Sequence, residues 1–460
     1  MPDIHVVVLA AGKGTRMKSA QPKVLHRVGG RPMIEQVLSA AAALGPKTTT
    51  IVVGHQAGVL EHALVHHQGL GFVVQEPQLG TAHALLTAES ALGGKHGTVV
   101  LLSGDVPLLT ARTLQTLVDT HHRAGAAATV VTATLENPHG YGRVVRVGGE
   151  IARIVEERDA SPAERTIREI NSGIYAFELN GLFESVRGIA SENTQHEYYL
   201  PDLVSIYRQR GLGVATLEVS NPHEIKGVNS RAELADMSRI VQQTKNAALM
   251  ASGVTIEDPA TTYVEADVQI GADTILRPGV FIEAGSVVGS GCTIHSGARI
   301  VRSFLGDRVT VLNHSVITDS RIADDASVGP FAHLRGESSV GAGARVGNFV
   351  ELKKTAIGAR SKSSHLSYLG DAVVGADVNI GAGTITCNYD GVRKHTTTIE
   401  DGAFIGSDSQ LVAPVTVGKG AYVGTGTTVR EHVPEGALAV SAGKQRNIPG
   451  WVEAKKKRNR

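Results

Sequence analysis

In the second half of the chain, an aliphatic residue returns at every sixth position and glycine often follows it. Three clean runs show this spacing: Val264, Ile270, Leu276, Ile282, Val288, Ile294 and Ile300; Val316, Ile322, Val328, Leu334, Val340, Val346 and Leu352; and Ile399, Ile405, Leu411, Val417, Val423 and Val429. A period of six matches neither the α-helix nor a simple alternating strand. It is typical of a solenoid of hexapeptides, in which one aliphatic residue per short strand points inward. With three hexapeptides to a coil, the pattern predicts roughly nine coils of parallel β-helix.

The first half of the chain follows a different pattern. Short apolar runs that predict strands cover 4–9, 51–53, 72–74, 99–102 and 129–131. Stretches with helical spacing, such as 33–44 and 82–92, lie between them. Alternating strands and helices predict an α/β, Rossmann-like domain with a mostly parallel sheet and helices on both faces.

A helix is predicted to connect the two halves. The stretch 231–250 contains neither Gly nor Pro, and its apolar residues share one helical face: Leu234, Met237, Ile240 and Val241. We therefore expect three parts, namely an α/β domain over 1–230, a linker helix over 231–252 and a β-helix over 253–460.

The composition is that of a globular protein without a polyanionic partner. Of 460 residues, 42% are hydrophobic and 19% charged, and the formal net charge is +1. This balance favours neither a nucleic acid nor a membrane surface as partner, and we interpret the basic run at 455–458 as a solvated tail. Cys292 and Cys387 form no disulfide framework or metal knuckle, and the N-terminus lacks a signal-peptide pattern. We expect a cytoplasmic protein.

A glycine-containing loop follows the first predicted strand. Residues 9–17 read LAAGKGTRM. In a doubly wound sheet, such a loop lies at the carboxyl ends of the strands, where backbone amides approach phosphate oxygens. The loop is neither a Walker A motif nor a dinucleotide fingerprint. Arg16 and Lys23 add cations suited to a nucleoside triphosphate, although a surface turn with unrelated basic residues is the alternative.

Two further segments are predicted to reach the same edge of the sheet. Asp105 follows the buried run at 99–102, where a carboxylate can hold Mg²⁺ or cap the next helix. The segment 75–82 offers amide and backbone groups that could read the edge of a nucleobase. These observations favour a nucleotide site without identifying its substrate.

Seven motifs then occur in a fixed order: LAAGKGTRM, PKVLH, QLGTAHA, GDVP, GYGR, NSGIY and GVNSR. Followed by a hexapeptide solenoid, they resemble the sugar nucleotidyltransferases. In particular they resemble the bacterial family that joins N-acetylglucosamine-1-phosphate uridylyltransferase to glucosamine-1-phosphate N-acetyltransferase, and the resemblance covers nearly the whole chain. It implies acetylation of glucosamine-1-phosphate by acetyl-CoA, then Mg²⁺-dependent uridylyl transfer from UTP. It also implies a left-handed β-helix and a homotrimer with the acetylation site between subunits.

The resemblance assigns roles at the first site. The residues that would hold the nucleotide or the sugar nucleotide are Leu9, Ala10, Ala11, Gly12, Lys23, Gln75, Gly80, Thr81, Ser103, Gly104, Asp105 and Asn229. The residues that would contact the amino sugar are Gly140, Glu156 and Asn171. Arg16 and Lys23 would be catalytic cations, with Arg16 stabilising the transition state, and Asp105 and Asn229 would ligate Mg²⁺. This chain departs from some relatives at Ser103, where they carry Tyr.

Within the solenoid, polar side chains collect where the sixfold spacing slips. The spacing shortens to five between Leu352 and Ile357, and Ser363 stands where an aliphatic residue is expected. His365 follows, and histidine is the usual general base near neutral pH, although a structural histidine is the alternative. The polar stretch 387–398 breaks the register again and predicts a protruding loop. The other polar residues within three coils are Arg335, Glu351, Lys353, Tyr368, Asn379, Asn388 and Tyr389.

The resemblance makes His365 the base that takes a proton from the amine of glucosamine-1-phosphate as that amine attacks acetyl-CoA. The residues that would bind the sugar phosphate are Arg335, Glu351, Lys353, Tyr368 and Asn379, with Glu351 holding the amine. The residues that would line the coenzyme A path are Ala382, Asn388, Tyr389, Ser407 and Thr425. Ala442 stands where some relatives carry an Arg that pairs with coenzyme A, and Lys444 or Arg446 is a candidate substitute.

Three other functions are open to test. A zinc hydratase would need converging histidines. The evenly spaced His295, His314 and His333 occupy different places in their hexapeptides, so we expect them to diverge. A nucleotidyltransferase with a solenoid scaffold would not need the polar cluster around His365. A pure interaction protein would not need the glycine loop together with Asp105.

Overall fold

A computed structural model describes residues 2–54, 56–441, 443 and 445–458, and the chain divides into two compact units, Met1–Arg239 and Ile240–Arg460. The strands of the first unit are β1 (Ile4–Ala10), β2 (Arg27–Val28), β3 (Arg31–Pro32), β4 (Thr48–Val53), β5 (Leu70–Val74), β6 (Thr98–Ser103), β7 (Ala128–Thr134), β8 (Arg143–Val147), β9 (Glu150–Val155), β10 (Glu169–Glu178) and β11 (Val214–Glu218). The helices up to the boundary are α1 (Met33–Ala42), α2 (Ala57–Ala63), α3 (Thr81–Thr87), α4 (Glu89–Leu92), α5 (Ala111–Ala124), α6 (Pro162–Arg165), α7 (Leu182–Arg187), α8 (Asp202–Gln209) and α9 (Arg231–Ala251). Three 3₁₀ turns lie at Thr15–Met17, Lys23–Leu25 and Pro222–Ile225.

A mixed sheet forms the centre of the first unit. Its main strand order is β11–β7–β10–β6–β1–β4–β5. Strand β1 lies parallel to β4 and β6, whereas β10 is antiparallel to β6 and β7. Val6 and Val8 pack in the core on one face, and Val7 packs in the core on the other. Helices α1 and α5 contribute to the first core and α3, α7 and α8 to the second, which explains the unbroken apolar run in β1.

The prediction of a mostly parallel sheet with helices on both faces is confirmed. Its details differ in two places. The predicted helix over 82–92 is interrupted at Ala88 and forms α3 and α4. Four strands of the sheet were not among the predicted strands, namely β8, β9, β10 and β11, and the antiparallel β10 lies between β6 and β7.

The long helix α9 begins in the first unit and ends in the second. At its start, Ser230 Oγ accepts from the backbone N–H of Glu233 (3.2 Å), and Glu233 Oε2 accepts from the N–H of Ser230 (3.1 Å). This reciprocal capping box satisfies amides that a helix start leaves unpaired. No helix in the described ranges is long and apolar enough to cross a membrane.

The second unit is a three-sided stack of parallel strands. Strands of the first face are Thr255–Ile256, Ile275–Leu276, Thr293–Ile294, Thr310–Val311, Ser327–Val328, Arg345–Asn348, Lys362–His365, Asn379–Ile380, Phe404–Ile405, Tyr422–Val423 and Leu438–Ala439. Strands of the second face are Tyr263–Val264, Phe281–Ile282, Arg299–Val301, Val316–Thr318, His333–Arg335, Glu351–Lys353, Tyr368–Gly370, Ile385–Cys387, Gln410–Val412 and Thr428–Val429. Strands of the third face are Gln269–Ile270, Val287–Val288, Phe304–Leu305, Arg321–Ile322, Ser339–Val340, Ala356–Ile357, Ala372–Val374, Thr397–Ile399 and Val415–Val417. A last helix, α10, covers Trp451–Arg458.

The predicted hexapeptide solenoid is confirmed, and its arrangement is consistent with the left-handed β-helix that the resemblance implies. Inward aliphatic residues stack from coil to coil, as Leu276, Ile294 and Val311 do on the first face. All three are fully buried. At one position the predicted phase is off by one residue, because Ile317 points into the core while Val316 is partly exposed.

The helix α9 covers the first coil of the β-helix. Gln242 Nε2 and Asn246 Nδ2 both donate to the backbone oxygen of Thr262, at 2.8 and 2.9 Å. Lys245 Nζ donates to the backbone oxygens of Ala266 and Val268. In the part of the chain that the structure describes, no strand pairs with these carbonyls of the first coil, so side chains of α9 satisfy them instead.

Candidate active sites

The glycine-containing loop and the Asp105 segment lie side by side. Strand β1 pairs with β6 in a register that places Leu9 opposite Ser103. The backbone N–H of Gly104 donates to the oxygen of Leu9 (3.0 Å). Both segments therefore leave the sheet at the carboxyl ends of adjacent parallel strands, where α/β sheets bind ligands.

The oxygens of Asp105 and Asn229 converge on one point. Lys23 Nζ forms an ion pair with Asp105 Oδ2 and donates to Asn229 Oδ1 (3.0 Å). The Lys23 and Asp105 side chains are only 14% and 15% exposed. A carboxylate and an amide oxygen that share a neighbour at this distance fit Mg²⁺, which prefers hard oxygen donors. Lys23 contacts the same oxygens and therefore competes with a metal for them.

The second predicted cation has a different environment. Arg16 lies on the 3₁₀ turn at Thr15–Met17 and is exposed. It makes no hydrogen bond or ion pair with any residue of the described ranges. The turn follows Gly14, whose φ of +59° suits glycine, and a Cβ there would lie 2.8 Å from Lys23 Cβ. Arg16 is thus free to contact an anion in front of the loop.

Two amide side chains of segment 75–81 form hydrogen bonds that hold the segment beside the glycine-containing loop. The buried Gln75 donates from Nε2 to the oxygen of Gly80 (2.9 Å), and Gln78 donates from Nε2 to the oxygen of Ala11 (2.7 Å). Thr81 Oγ1 accepts from the N–H of Leu200 (3.1 Å). Gln75 therefore supports the turn at Gly80, and Gln78, which was not predicted as a site residue, joins the segment to the loop.

Two of the three residues predicted to contact the sugar flank Gly142. A Cβ at Gly142 would lie 3.3 Å from Glu156 Oε1 and 3.6 Å from Asn171 Cβ. Asn171 is nearly buried, and its backbone N–H donates to the oxygen of Gly142 (2.9 Å). Gly140 is exposed, and its N–H donates to the carboxylate of Glu157. The structure thus brings Glu156 and Asn171 together and leaves Gly140 at the rim.

Burial and negative neighbours act on the carboxyl of Glu156. Burial raises its pKa above the ordinary value, and the carboxylates of Asp202 and Asp159 raise it further. Burial and Asp159 also raise the pKa of Asp202. A carboxyl group that holds its proton can donate to a sugar hydroxyl, whereas an ionised one can only accept. Asp202 was not predicted, because it lies 46 positions beyond Glu156 and no local motif joins them.

Tyr141 is another residue that sequence reasoning did not select. Burial raises its pKa, and the charges of Glu233 and Asp105 raise it further, which places this side chain among the groups around the proposed metal ligands. Tyr141 belongs to the GYGR motif, so the motif was a usable signal.

A basic cluster lies on the second face of the β-helix. Arg335, Lys353 and Gly370 occupy equivalent places in three successive coils. Arg335 Nε donates to Glu351 Oε1 (2.9 Å), so Glu351 is paired with the cluster. A Cβ at Gly370 would lie 2.5 Å from Tyr368 Oη, which shows that the tyrosine ring crosses this glycine.

The loop between Cys387 and Thr397 adds a third cation. Its own hydrogen bonds shape it: Asp390 accepts from the backbone N–H groups of Val392 and Arg393. The neighbouring ammonium of Lys394 lowers the pKa of Lys353, which places the two side chains close together. Three cations in one cluster suit a phosphate group. Lys394 was not predicted as a site residue, although the protruding loop was.

His365 is oriented by a residue one coil away. Its Nδ1 lies 2.6 Å from Asn348 Oδ1. A carbonyl oxygen only accepts, so Nδ1 carries the proton and Nε2 presents a lone pair. His365 is exposed on the first face, whereas Arg335, Lys353 and Tyr368 lie on the second. The predicted site therefore wraps around the corner between the two faces, and Asn348 joins it as an unpredicted member.

Four predicted residues occupy one line along the β-helix. The strands of the first face pair so that Ser363, Ile380, Ile405 and Val423 lie in register. The residues two positions after them are His365, Ala382, Ser407 and Thr425, so these four also follow one line. A line that crosses four coils suits a long ligand such as coenzyme A. Asn379 stands in the coil after His365, on the same face.

The remaining predicted residues lie in the protruding loop and near the C-terminus. Asn388 donates from Nδ2 to the carboxylate of Asp371, and Tyr389 is exposed in the loop. Ala442 and Lys444 lie outside the described residues, and Arg446 is exposed. His314, one of the three evenly spaced histidines, stacks on Phe331 with ring centroids 5.3 Å apart.

Comparisons with known proteins cover both units. The family described as MobA-like NTP transferase domain matches residues 6–170. The GMPPB C-terminal domain matches residues 259–362, and the bacterial transferase hexapeptide family matches residues 396–431. A protein of Trichlorobacter lovleyi called bifunctional protein GlmU is 50% identical over 98% of this chain and 98% of its own length. Proteins of the same name from Pelobacter propionicus and Shouchella clausii are each 48% identical, over 99% and 97% of this chain and 100% and 98% of their own lengths.

Proposed function

Since the chain belongs to the GlmU family of bifunctional proteins, we propose that it makes UDP-N-acetylglucosamine in two steps. The second unit acetylates glucosamine-1-phosphate with acetyl-CoA, and the first unit transfers a uridylyl group from UTP to the product. The observation that carries this proposal is the presence of two separate constellations in one chain. Asp105, Asn229 and Lys23 converge beside the glycine loop, and His365 lies on a different face of the same β-helix from Arg335 and Lys353.

In the uridylyl transfer, a phosphate oxygen of N-acetylglucosamine-1-phosphate attacks the α-phosphorus of UTP. The bond from that phosphorus to the bridging oxygen breaks, and pyrophosphate leaves with the electron pair. Backbone groups at 9–12 and 80–81 hold the nucleotide, and the exposed side chain of Arg16 contacts its phosphates. Positioning and neutralisation of charge are sufficient for such a transfer.

We infer that Mg²⁺ serves this unit through Asp105 and Asn229. When bound, it neutralises negative charge on the phosphates. Lys23 already contacts both oxygens, so it would turn toward the phosphates once the metal takes its place. Glu156 and Asn171 would hold the amino sugar. The other predicted nucleotide-binding residues would have the roles that the family resemblance implies.

In the acetylation, the amine of glucosamine-1-phosphate attacks the thioester carbonyl of acetyl-CoA. His365 Nε2 takes the proton that the amine loses, the carbon–sulfur bond breaks, and coenzyme A leaves as the thiol after protonation. Arg335, Lys353 and Lys394 hold the sugar phosphate. The line of residues from Ala382 to Thr425 would run beside coenzyme A.

We propose a homotrimer in which one corner of the β-helix contacts a second copy. Phe331, Phe349 and Leu366 stack in successive coils there, are 48%, 55% and 61% exposed, and have φ of +55°, +55° and +48°. Bulky residues in this conformation cost about 1–3 kcal/mol each and persist where the surroundings compensate. Because Leu366 follows His365 directly, a partner at this corner would complete the acetylation site.

The replacement Phe349→Asp tests the assembly. It should lower the sedimenting mass to that of a monomer or dimer and remove acetylation, while uridylyl transfer persists. Phe304→Asp places the same charge on an exposed aromatic position of the third face and should leave the mass unchanged. If Phe349→Asp stays fully trimeric, the corner is not the interface.

We further propose that the activities divide as 1–230 and 253–460, joined by the helix over 231–252, and that both operate in the cytoplasm. The two cysteines are unpaired, which suits a reducing compartment. The composition supports neither a nucleic-acid nor a membrane partner.

One set of incubations tests the two activities. Purified protein with glucosamine-1-phosphate, acetyl-CoA, UTP and Mg²⁺ should form UDP-N-acetylglucosamine, and the omission of each reagent should stop its own step. Asp105→Asn should lower uridylyl transfer by about 10²-fold or more and spare acetylation. His365→Ala should lower acetylation by about 10²–10⁴-fold and spare uridylyl transfer. A nucleotidyltransferase with an inert scaffold would never consume acetyl-CoA.

A further inference from the structure

Outside both candidate sites, three potential metal ligands lie together in the first unit. Glu35 stands in the first turn of α1, and His66 and His67 lie in the turn between α2 and β5. Each offers one ligand atom, and the three atoms lie within 4.8 Å of one another. Among the described residues, no other group of three or more His, Cys, Asp or Glu side chains meets this spacing.

The distances in this group are close to those of a metal complex. Glu35 Oε1 and His66 Nε2 are 3.6 Å apart. Two ligands of a tetrahedral Zn²⁺ with bonds of about 2.1 Å are separated by about 3.4 Å. The two imidazole rings lie with centroids 4.3 Å apart. The His66 side chain is 58% exposed, so it can rotate to close the wider of the separations.

A second observation points to a ligand at the same place. His67 Nε2 is buried and has no hydrogen-bond partner among the described residues. A buried polar atom without a partner is unfavourable, and such atoms call for a specific explanation. The Glu35 carboxylate supplies a negative charge that offsets the nearby cation of Arg31. Coordination of the imidazole would supply the missing interaction.

We propose that Glu35, His66 and His67 bind a divalent transition metal of the Zn²⁺ type. One carboxylate oxygen and two imidazole nitrogens form the donor set of many zinc sites, with a fourth position left for water. The site differs in chemistry from the one at Asp105 and Asn229, because Mg²⁺ prefers oxygen donors alone. The bound metal would tie the start of α1 to the turn before β5. This inference does not depend on the proposed function.

The test measures zinc binding by the full-length protein. Metal-free protein is titrated with ZnCl₂ against a chromophoric chelator, with Mg²⁺ in excess to fill oxygen-only sites. Glu35→Gln and His66→Ala each remove one ligand at a partly or largely exposed position, so both variants should fold. Each should lose one equivalent of bound Zn²⁺ or bind it at least about tenfold more weakly.

His62→Ala is the matched control, since His62 is exposed on the neighbouring helix α2 and does not belong to the group. It should keep the full stoichiometry. Co²⁺ provides a second measurement, because its visible absorption is intense in a four-coordinate protein site and weak for the aquated ion, and that band should vanish in His66→Ala. If Glu35→Gln and His66→Ala bind Zn²⁺ and Co²⁺ as His62→Ala does, the site does not exist.

Discussion

Replacement of Gly80 by alanine should separate the two activities of the chain. Gly80 precedes α3 with φ of +108° and ψ of 179°, a conformation that is essentially restricted to glycine. A Cβ there would lie 2.6 Å from the backbone oxygen of Tyr198 and 2.9 Å from its nitrogen. Tyr198 is itself fixed, because its N–H donates to Leu79 and its oxygen accepts from the N–H of Ala82.

The size of the effect follows from these contacts. No side-chain rotation can relieve a clash with backbone atoms, so the Cβ contact must lengthen from 2.6 Å to at least 3.0 Å, a shift of 0.4 Å or more. The backbone conformation adds about 1–3 kcal/mol of strain in an alanine. A displacement of about 1 Å in a positioning segment can cost 10²-fold in rate. For Gly80→Ala we therefore expect uridylyl transfer to fall by about tenfold to 10²-fold in kcat/KM.

Two assays on the same sample measure this prediction. Pyrophosphate release reports uridylyl transfer, and free thiol from coenzyme A reports acetylation, which should stay at the wild-type rate. Gly58→Ala is the control, because a Cβ at this exposed helical position meets no atom within 4 Å. Wild-type uridylyl transfer in Gly80→Ala would refute the argument from backbone fit. Equal loss of both activities would show general unfolding instead of a local displacement.

Three further changes address the core and the second site. Ser363→Ala should raise the free energy of unfolding by about 1 kcal/mol, since the buried hydroxyl has no hydrogen-bond partner among the described residues; an unchanged denaturant midpoint would contradict this. Burial lowers the pKa of His121 to about 4. As the pH falls below about 6.5, His121 takes up a proton in the unfolded chain but not in the folded one. The free energy of unfolding should therefore drop by up to about 3 kcal/mol. His121→Asn should remove that slope from denaturant midpoints measured between about pH 7 and about pH 5. Asn348→Ala should lower acetylation by about tenfold and change its pH profile, because His365 loses the acceptor for Nδ1, while uridylyl transfer is unaffected.

The periodic part of the fold was predictable because its core imposes one rule on every coil. Most inward positions hold an aliphatic side chain, so the sequence repeats it, and Ser363 is an exception. The prediction failed by one residue at Val316, where one coil is shorter and Ile317 takes the inward place. Strand β10 escaped prediction for a different reason. Its antiparallel pairing with β6 and β7 depends on partners far away in the chain.

The site residues differ in the same way, because some are marked by local sequence signals and others depend on contacts between distant parts of the chain. Asp105 and His365 could be selected because a carboxylate after a buried strand and a histidine at a slip in the repeat are local signals. Asn348 lies 17 residues before His365, which is one coil, and only the register across coils reveals the contact. Lys394 comes from a loop without periodicity, so no spacing rule places it beside Lys353.

The cover that α9 forms over the first coil has a consequence for how molecules of this protein can associate. A stack of parallel strands is open at its ends, and an open edge can template the addition of further strands without limit. Here Gln242, Lys245 and Asn246 occupy the carbonyls that a neighbouring chain would need in order to extend the stack. Growth from this end into a fibre is therefore blocked by the same helix that leads into the β-helix. Any contact between copies at this end must therefore form without the strand-to-strand hydrogen bonds that extend a β-sheet.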